Sequence, residues 1–112
     1  MDLGLHNKVV LVTGGARGIG GAISKVLAAE GAIVVIVGHD AADNEAAMQA
    51  ITATGGRANS ILAELTRTED CRQAVEATIR KYGCLDGLVN NAGINDRVGL
   101  EDGDADRFLL RH

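Results

Sequence analysis

Between Val9 and Gly20 the chain reads VVLVTGGARGIG: an apolar run of β-type residues breaks into a turn with glycines at 14, 15, 18 and 20, then opens a helical pattern. Gly14 lets the backbone turn through torsions that a Cβ disfavours, Gly18 lets it come close to a pyrophosphate, and Gly20 lets the helix pack against the strand. The helix then points free N–H groups and the positive end of its dipole at the turn. The spacing is GxxxGxG rather than the commoner GxGxxG. Strand, glycine turn and helix N-terminus in this order confine the chain to a βα unit with an anion-binding corner. The bland alternative is a glycine-rich βα turn with no ligand, and neither alternative specifies a reaction.

Beyond Gly20 the hydrophobic periodicity repeats that unit. Lys8–Thr13, Ile33–Val37, Ala58–Ala63 and Leu85–Asn90 read as strands, and Gly18–Glu30, Ala42–Thr54 and Glu69–Tyr82 as helices, giving βαβαβαβ. Ile19, Ala22, Ile23, Val26 and Leu27 fall on one face of the first helix, which makes that face its expected core contact. Cys71, Val75 and Ile79, with Ala74, Thr78 and Tyr82, do the same for the third. Gly31 and Gly55 stand at C-terminal cap positions, and Thr66 with Glu69 reads as a capping box. After Gly93 the segment INDRVGLEDGD is a polar, acidic loop, and Ala105–Leu110 opens a further amphipathic helix.

The 112 residues form one domain at most, able to bury roughly 65 % of the surface its unfolded chain exposes. With Tyr82 and Phe108 as the only aromatics and no Trp, the core must be built from Val, Ile, Leu and Ala, the palette of parallel sheets covered on both faces. The formal net charge is −4 and the eleven Lys and Arg are scattered. With no basic stripe to follow a run of phosphates, nucleic acid is not expected as a partner. The N-terminus has no apolar signal core and the longest apolar run, Ala32–Val37, is too short to span a bilayer. A cytoplasmic location without membrane contact is the expectation. Cys71 and Cys84 form no CxxC and have no neighbouring His pair, so reduced thiols are expected and no metal site.

Thr13–Gly20, TGGARGIG, together with NNAG at Asn90–Gly93, resembles the short-chain dehydrogenase/reductase family, and the resemblance runs from about Lys8 to the end of the chain. Within that family LDGLVNNAGINDRVGL is similar to the sugar-dehydrogenase branch that includes L-fucose dehydrogenase-like proteins. The resemblance implies a Rossmann-type doubly wound parallel sheet and an oxidoreductase that moves hydride between a nicotinamide and an alcohol or carbonyl, with a sugar as one candidate. It implies that Gly14, Arg17, Gly18, Ile19 and Gly20 wrap the cofactor's phosphates and adenosine ribose, and that Glu64 and Leu65 meet the adenine. Glu64 stands where family members more often carry Asp. Asn91, Ala92 and Gly93 would flank the adenosine end from the fourth strand, and Asn90 would brace the sheet.

NAD-binding sheets of this kind place an acid about 20 residues past the glycines, at the end of the second strand, where it accepts both ribose hydroxyls. Here that place is Gly38. A 2′-phosphate would meet no repulsion there, and Arg17 with His39 could supply positive charge, so between NAD and NADP the sequence leans to NADP. His39 is at most partly charged at neutral pH, and Asp40 could take over the acid's role. Alternatively His39 and Asp40 cap the next helix, where Asp is favoured at the N-cap.

Carbonyl reduction in such a family, as the resemblance implies, needs a Tyr whose pKa is lowered by a Lys four residues on, plus a Ser and an Asn. A phenol with a pKa near 10 needs a neighbouring cation to serve at neutral pH. The single tyrosine, Tyr82, is followed four residues later by Asp86, and it reads as helix-end packing. Ser24 and Ser60 fall inside a helix and a strand, so no catalytic residue is assigned. The expectation is therefore one incomplete NAD(P)-binding domain over 1–112, its strands in the order 3-2-1-4 with three helices and a partial fourth. Right-handed crossovers put the first two helices on one face and the third on the other. That leaves the fourth strand as an open edge and part of one face bare, an invitation to self-association. Three readings stay open: the cofactor half of a dehydrogenase without its chemistry; a non-catalytic nucleotide-binding or regulatory module that pairs with a full-length subunit; and a chain cut short by a premature stop or frameshift.

Overall fold

Five residues in β1, Val9–Thr13, are all buried because two further strands hydrogen-bond to them, one on each side. In the computed structural model, which describes residues 4–64 and 66–91, the four strands run parallel in the order β3-β2-β1-β4. β2 is Ile33–Gly38, β3 Arg57–Leu62 and β4 Gly87–Asn90. The register sets Val9 opposite Ile33 and Thr13 opposite both Val37 and Asn90. Three helices form the crossovers: α1 Gly18–Ala29, α2 Ala41–Thr52 and α3 Thr68–Tyr82.

Side chains of a strand alternate between faces, and here the alternation yields two cores. Val10, Val12, Val34 and Ile36 meet Ala28 of α1 and Ile51 of α2. Val9, Leu11, Val35 and Val37 meet Ala74 of α3, with Val75 and Tyr82 beside them. The expected strand order, the distribution of the helices and the packing role of Tyr82 all hold. Gly31 and Gly55 take φ of +93° and +88° at the ends of α1 and α2, as their cap positions require.

Four expectations are revised. β4 starts at Gly87 rather than Leu85, because Asp86 binds the start of β1 instead of extending the ladder: Val9 N–H donates to Asp86 Oδ2 at 2.8 Å and Asp86 N–H to Val9 O at 2.8 Å. The Thr66–Glu69 capping box is absent. α3 begins at Thr68 with Arg67 as an N-cap that makes no side-chain cap bond, and the Glu69 carboxylate instead takes up Arg72 and Gln73 along the helix. The apolar stripe of α1 is not its core face: Ile19 and Val26 are 64 % and 59 % exposed, while Gly20, Ser24 and Ala28 are buried. Spaced four apart, these three small residues let the helix axis come close to the sheet, which bulky side chains would prevent. Ile79 of α3 likewise points outward. The tail loop and the Ala105–Leu110 helix lie outside the described residues.

Candidate dinucleotide site

The strand order reverses direction at β1, whose neighbours β2 and β4 carry the chain away on opposite sides. In open parallel sheets, ligands settle at the carboxyl ends of the strands where this happens. A cleft of about 420 Å³ lies there. Its walls hold Gly14, Ala16 and Arg17 from the turn after β1, Gly38, His39 and Asp40 from the end of β2, Asp43 and Asn44 from α2, Glu64 and Thr66 after β3, and Asn91 after β4.

The turn is built by close approach. Gly14 has φ +64° and its N–H donates to Val37 O at 2.7 Å. Gly20 lies so near that a Cβ on it would stand 2.0 Å from Gly14 O and 2.7 Å from Asn91 Nδ2. Ser24, fully buried, stands one turn further along α1, and its hydroxyl lies 3.0 Å from Gly15 O and 2.9 Å from Gly20 O. The first turn of α1 is left without a side-chain cap and without an acidic residue. Its orphan N–H groups and the positive end of the helix dipole are thus offered to an anion. Gly18, at φ +56°, has open space where a Cβ would be.

Charge in the cleft is mixed. Arg17 reaches Asp43 at 3.5 Å. Asp40 is the N-cap of α2, its Oδ1 accepting from Asp43 N–H at 2.9 Å, the capping role that the sequence offered for it. Glu64 lies at the rim, its N–H donating to Asp70 Oδ2 at 3.1 Å. On the β1–β4 seam the Thr13 hydroxyl donates to Asn90 Oδ1 at 2.7 Å, a sheet-bracing role for Asn90.

Among the described residues two buried acceptors in the cleft wall lack a partner, Oδ1 of Asn44 and Oδ1 of Asn91. Leaving a buried acceptor unsatisfied costs about 1–3 kcal/mol, so both are groups that a hydroxyl or N–H of a ligand would relieve. Orphaned acceptors, an uncapped helix N-terminus and a glycine turn fit a polyhydroxylated, anionic ligand of dinucleotide type.

Of the residues singled out from the sequence, Gly14, Arg17, Gly38, His39, Asp40, Glu64 and Asn91 line the cleft. Gly18, Ile19 and Gly20 form the first turn of α1 instead, and the side chain of Ile19 faces away to the exposed apolar stripe. Leu65, Ala92 and Gly93 lie outside the described residues. Sequence reasoning missed Asn44, although it shares the buried stripe of α2 with Ala47 and Ile51 at i, i+3 and i+7; a polar residue on a core stripe was the available signal. Among the described residues no cluster of His, Cys, Asp or Glu could hold a metal, and no helix is long and apolar enough to cross a membrane.

Comparison with known proteins gives this geometry a lineage. The family model for short chain dehydrogenase matches residues 8–109. An uncharacterized oxidoreductase of Methylorubrum extorquens is 41 % identical over 99 residues, covering 88 % of this chain and 40 % of that protein. The L-fucose dehydrogenase of Bos taurus is 45 % identical over 86 residues, 77 % of this chain and 30 % of that one. A short-chain dehydrogenase/reductase homolog of Bacillus subtilis, 37 % identical, is matched over 86 % of this chain and 89 % of its own length. Among solved structures, a metagenomic short-chain oxidoreductase in complex with NADP superposes with TM-score 0.72 at 34 % identity, covering 76 % of this chain and 38 % of the other. An NADH-dependent reductase complexed with NAD gives 0.71 at 33 %, covering 78 % and 36 %. The chain thus spans about two fifths of the length of the Methylorubrum relative.

Proposed function

The chain belongs to the short-chain dehydrogenase family, and from that premise we propose that it holds a nicotinamide dinucleotide, NAD or NADP, in the cleft at the carboxyl ends of β1, β2 and β4. The observation that carries this reading is the Gly14–Gly20 turn, closed against Asn91 and followed by a helix whose first N–H groups no side chain caps. Those N–H groups would hold the pyrophosphate. Gly38, His39 and Asn44 would border the adenosine ribose, and Glu64 with the neighbouring Leu65 would border the adenine. Asn91, with Ala92 and Gly93 after it, would flank the adenosine end.

When bound, the cofactor supplies a hydride donor or acceptor for an alcohol or carbonyl. This chain's residues bind and orient it; they do not provide the acid–base pair. Tyr82 packs on the α3 core, and the residue four beyond it is Asp86, not a lysine. Ser24 is committed to the backbone of the turn. Within a whole enzyme of this family the substrate would be a secondary alcohol or its ketone, with a sugar as the candidate suggested by the L-fucose dehydrogenase relative.

A second reading is a nucleotide-binding module that pairs with a longer dehydrogenase subunit through β4 and the bare flank of α1. The Bacillus homolog, covered over 89 % of its own length, favours it. Self-association through the same surfaces and a cytoplasmic location belong to either reading.

Calorimetric titration of the chain with NAD and NADP, paired with an alcohol-oxidation assay, tests the proposal. One-to-one binding without turnover is expected. Cofactor-dependent turnover by the chain alone would overturn the non-catalytic assignment, and absence of binding to either dinucleotide would overturn the binding site.

A further inference from the structure

Gly38 occupies the position at which an acidic side chain would accept the ribose hydroxyls, and the sequence reads it as room for a 2′-phosphate. The structure shows what fills that room. Gly38 is not among the residues with positive φ, so its backbone would admit any side chain. The obstacle is Asn44: a Cβ on Gly38 would stand 2.5 Å from Asn44 Oδ1. Glycine at 38 and asparagine at 44 are therefore a matched pair, one giving up its side chain for the other.

The orientation of the amide follows from its neighbours. Nδ2 of Asn44 donates to Gly38 O at 3.1 Å and lies 3.5 Å from Ile61 O. Both are acceptors, so nitrogen faces them and oxygen is turned to the place a side chain at 38 would leave by. Asn44 is 2 % exposed, and its Oδ1 has no hydrogen-bond partner among the described residues. One oxygen of the usual alternative acceptor, Asp40, is already used in capping α2, and Arg17, among the described residues the fixed positive charge of the cleft, reaches Asp43 at 3.5 Å.

We propose that Asn44 Oδ1 accepts a hydrogen bond from the 2′-hydroxyl of the adenosine ribose, the group that NADP carries as a phosphate, so that α2 supplies the acceptor that β2 lacks and the cleft prefers NAD to NADP. The inference rests on the dinucleotide reading above and reverses the sequence lean to NADP. A ribose hydroxyl is a donor and satisfies the orphan oxygen. A 2′-phosphate has only acceptors to offer, faces an amide oxygen, and finds Arg17 and His39 outweighed by Asp40, Asp43 and Glu64.

The test is calorimetric titration of the chain and of Asn44→Leu with NAD and with NADP, folding being checked by circular dichroism. The wild-type chain should bind NAD more tightly. Asn44→Leu should lose about 3- to 10-fold in NAD affinity, the range of one neutral hydrogen bond, with NADP affinity unchanged. If both affinities fall together, or neither moves, Asn44 does not read the ribose, although the site stands. If the wild-type chain binds neither dinucleotide, the underlying reading fails and takes this one with it. Should Asn44→Leu not fold, Gly38→Asp combined with Asn44→Ala carries the test. The native chain, with its glycine at 38, is then compared with this acid-bearing variant: it must share the variant's preference for NAD, and equal or tighter binding of NADP by the native chain would overturn the proposal.

Discussion

Gly20 and Gly14 touch backbone to backbone across the βα turn, with room for no more than hydrogen between them: a methyl group on Gly20 would lie 2.0 Å from the carbonyl oxygen of Gly14. That contact lets α1 start directly against the end of β1, with no side chain capping its first turn. Helix propensity alone favours Ala over Gly by about 1 kcal/mol, so Gly20→Ala on an unconstrained helix would stabilise. Here we expect the opposite sign, a loss of about 1–3 kcal/mol from overpacking together with loss of dinucleotide binding. Urea unfolding and calorimetry check the two. Gly18→Ala, with open space but φ +56°, should cost only the left-handed backbone strain of about 1–2 kcal/mol.

The fold was legible where one physical signal dominated. Unbroken apolar runs marked β1 and β2 as strands, and for the expected order 3-2-1-4 crossover handedness gave the faces that the helices cover. Side-chain size misled at α1. Hydrophobic residues usually mark the buried stripe, but this helix needs closeness more than apolar volume, so it turns Gly20, Ser24 and Ala28 inward and leaves Ile19 and Val26 outside. In the site, the glycine turn could be read because each glycine answers a local backbone need. Asn44 could not be read so directly, because its role depends on a contact between α2 and the end of β2 that no local pattern encodes. The Thr66–Glu69 box failed for a related reason: an available partner, Arg72, captured the Glu69 side chain.

The capping role of Asp40 separates from any ligand role. Asp40→Ala should destabilise by about 1 kcal/mol, the usual cost of losing an N-cap, whereas Asp40→Asn keeps the acceptor and should stay within a few tenths. If the carboxylate charge does not hold the ribose, Asp40→Asn also leaves NAD affinity within about twofold, near 0.4 kcal/mol. Denaturant unfolding and titration of both variants measure this.

The exposed flank of α1 gives a prediction about association. Val26 lies 59 % exposed beside Ile19, Ala22 and Ile23, an apolar surface of the kind that draws copies together. Val26→Glu should leave unfolding stability within about 0.5 kcal/mol, as for surface substitutions generally, while reducing self-association in sedimentation velocity. An unchanged sedimentation profile at high concentration would remove this face from any interface.

Cys71 should be a sluggish nucleophile. Partial burial first, and then the carboxylate of Asp70, push its thiol above the ordinary value, so little thiolate exists at neutral pH. A raised folded-state pKa contributes stability that is complete below the unfolded value and is lost as pH rises through the folded one. Alkylation of Cys71 should therefore lag behind that of a free thiol at neutral pH and accelerate in alkali, and Asp70→Asn should narrow the gap. Peptide mapping after timed iodoacetamide exposure would show both.

A dinucleotide seated on the first turn of α1 and against the seam between β1 and β4 would change the surroundings of a small, known set of amides. Chemical shifts of the isotope-labelled chain, followed during titration with NAD, report on them directly. We expect saturable shifts at the backbone amides of Gly18, Ile19 and Gly20 and at the side-chain amides of Asn44 and Asn91. Shifts confined to the outer face of α2, around Ala46 and Ala50, or none at all, would contradict the site.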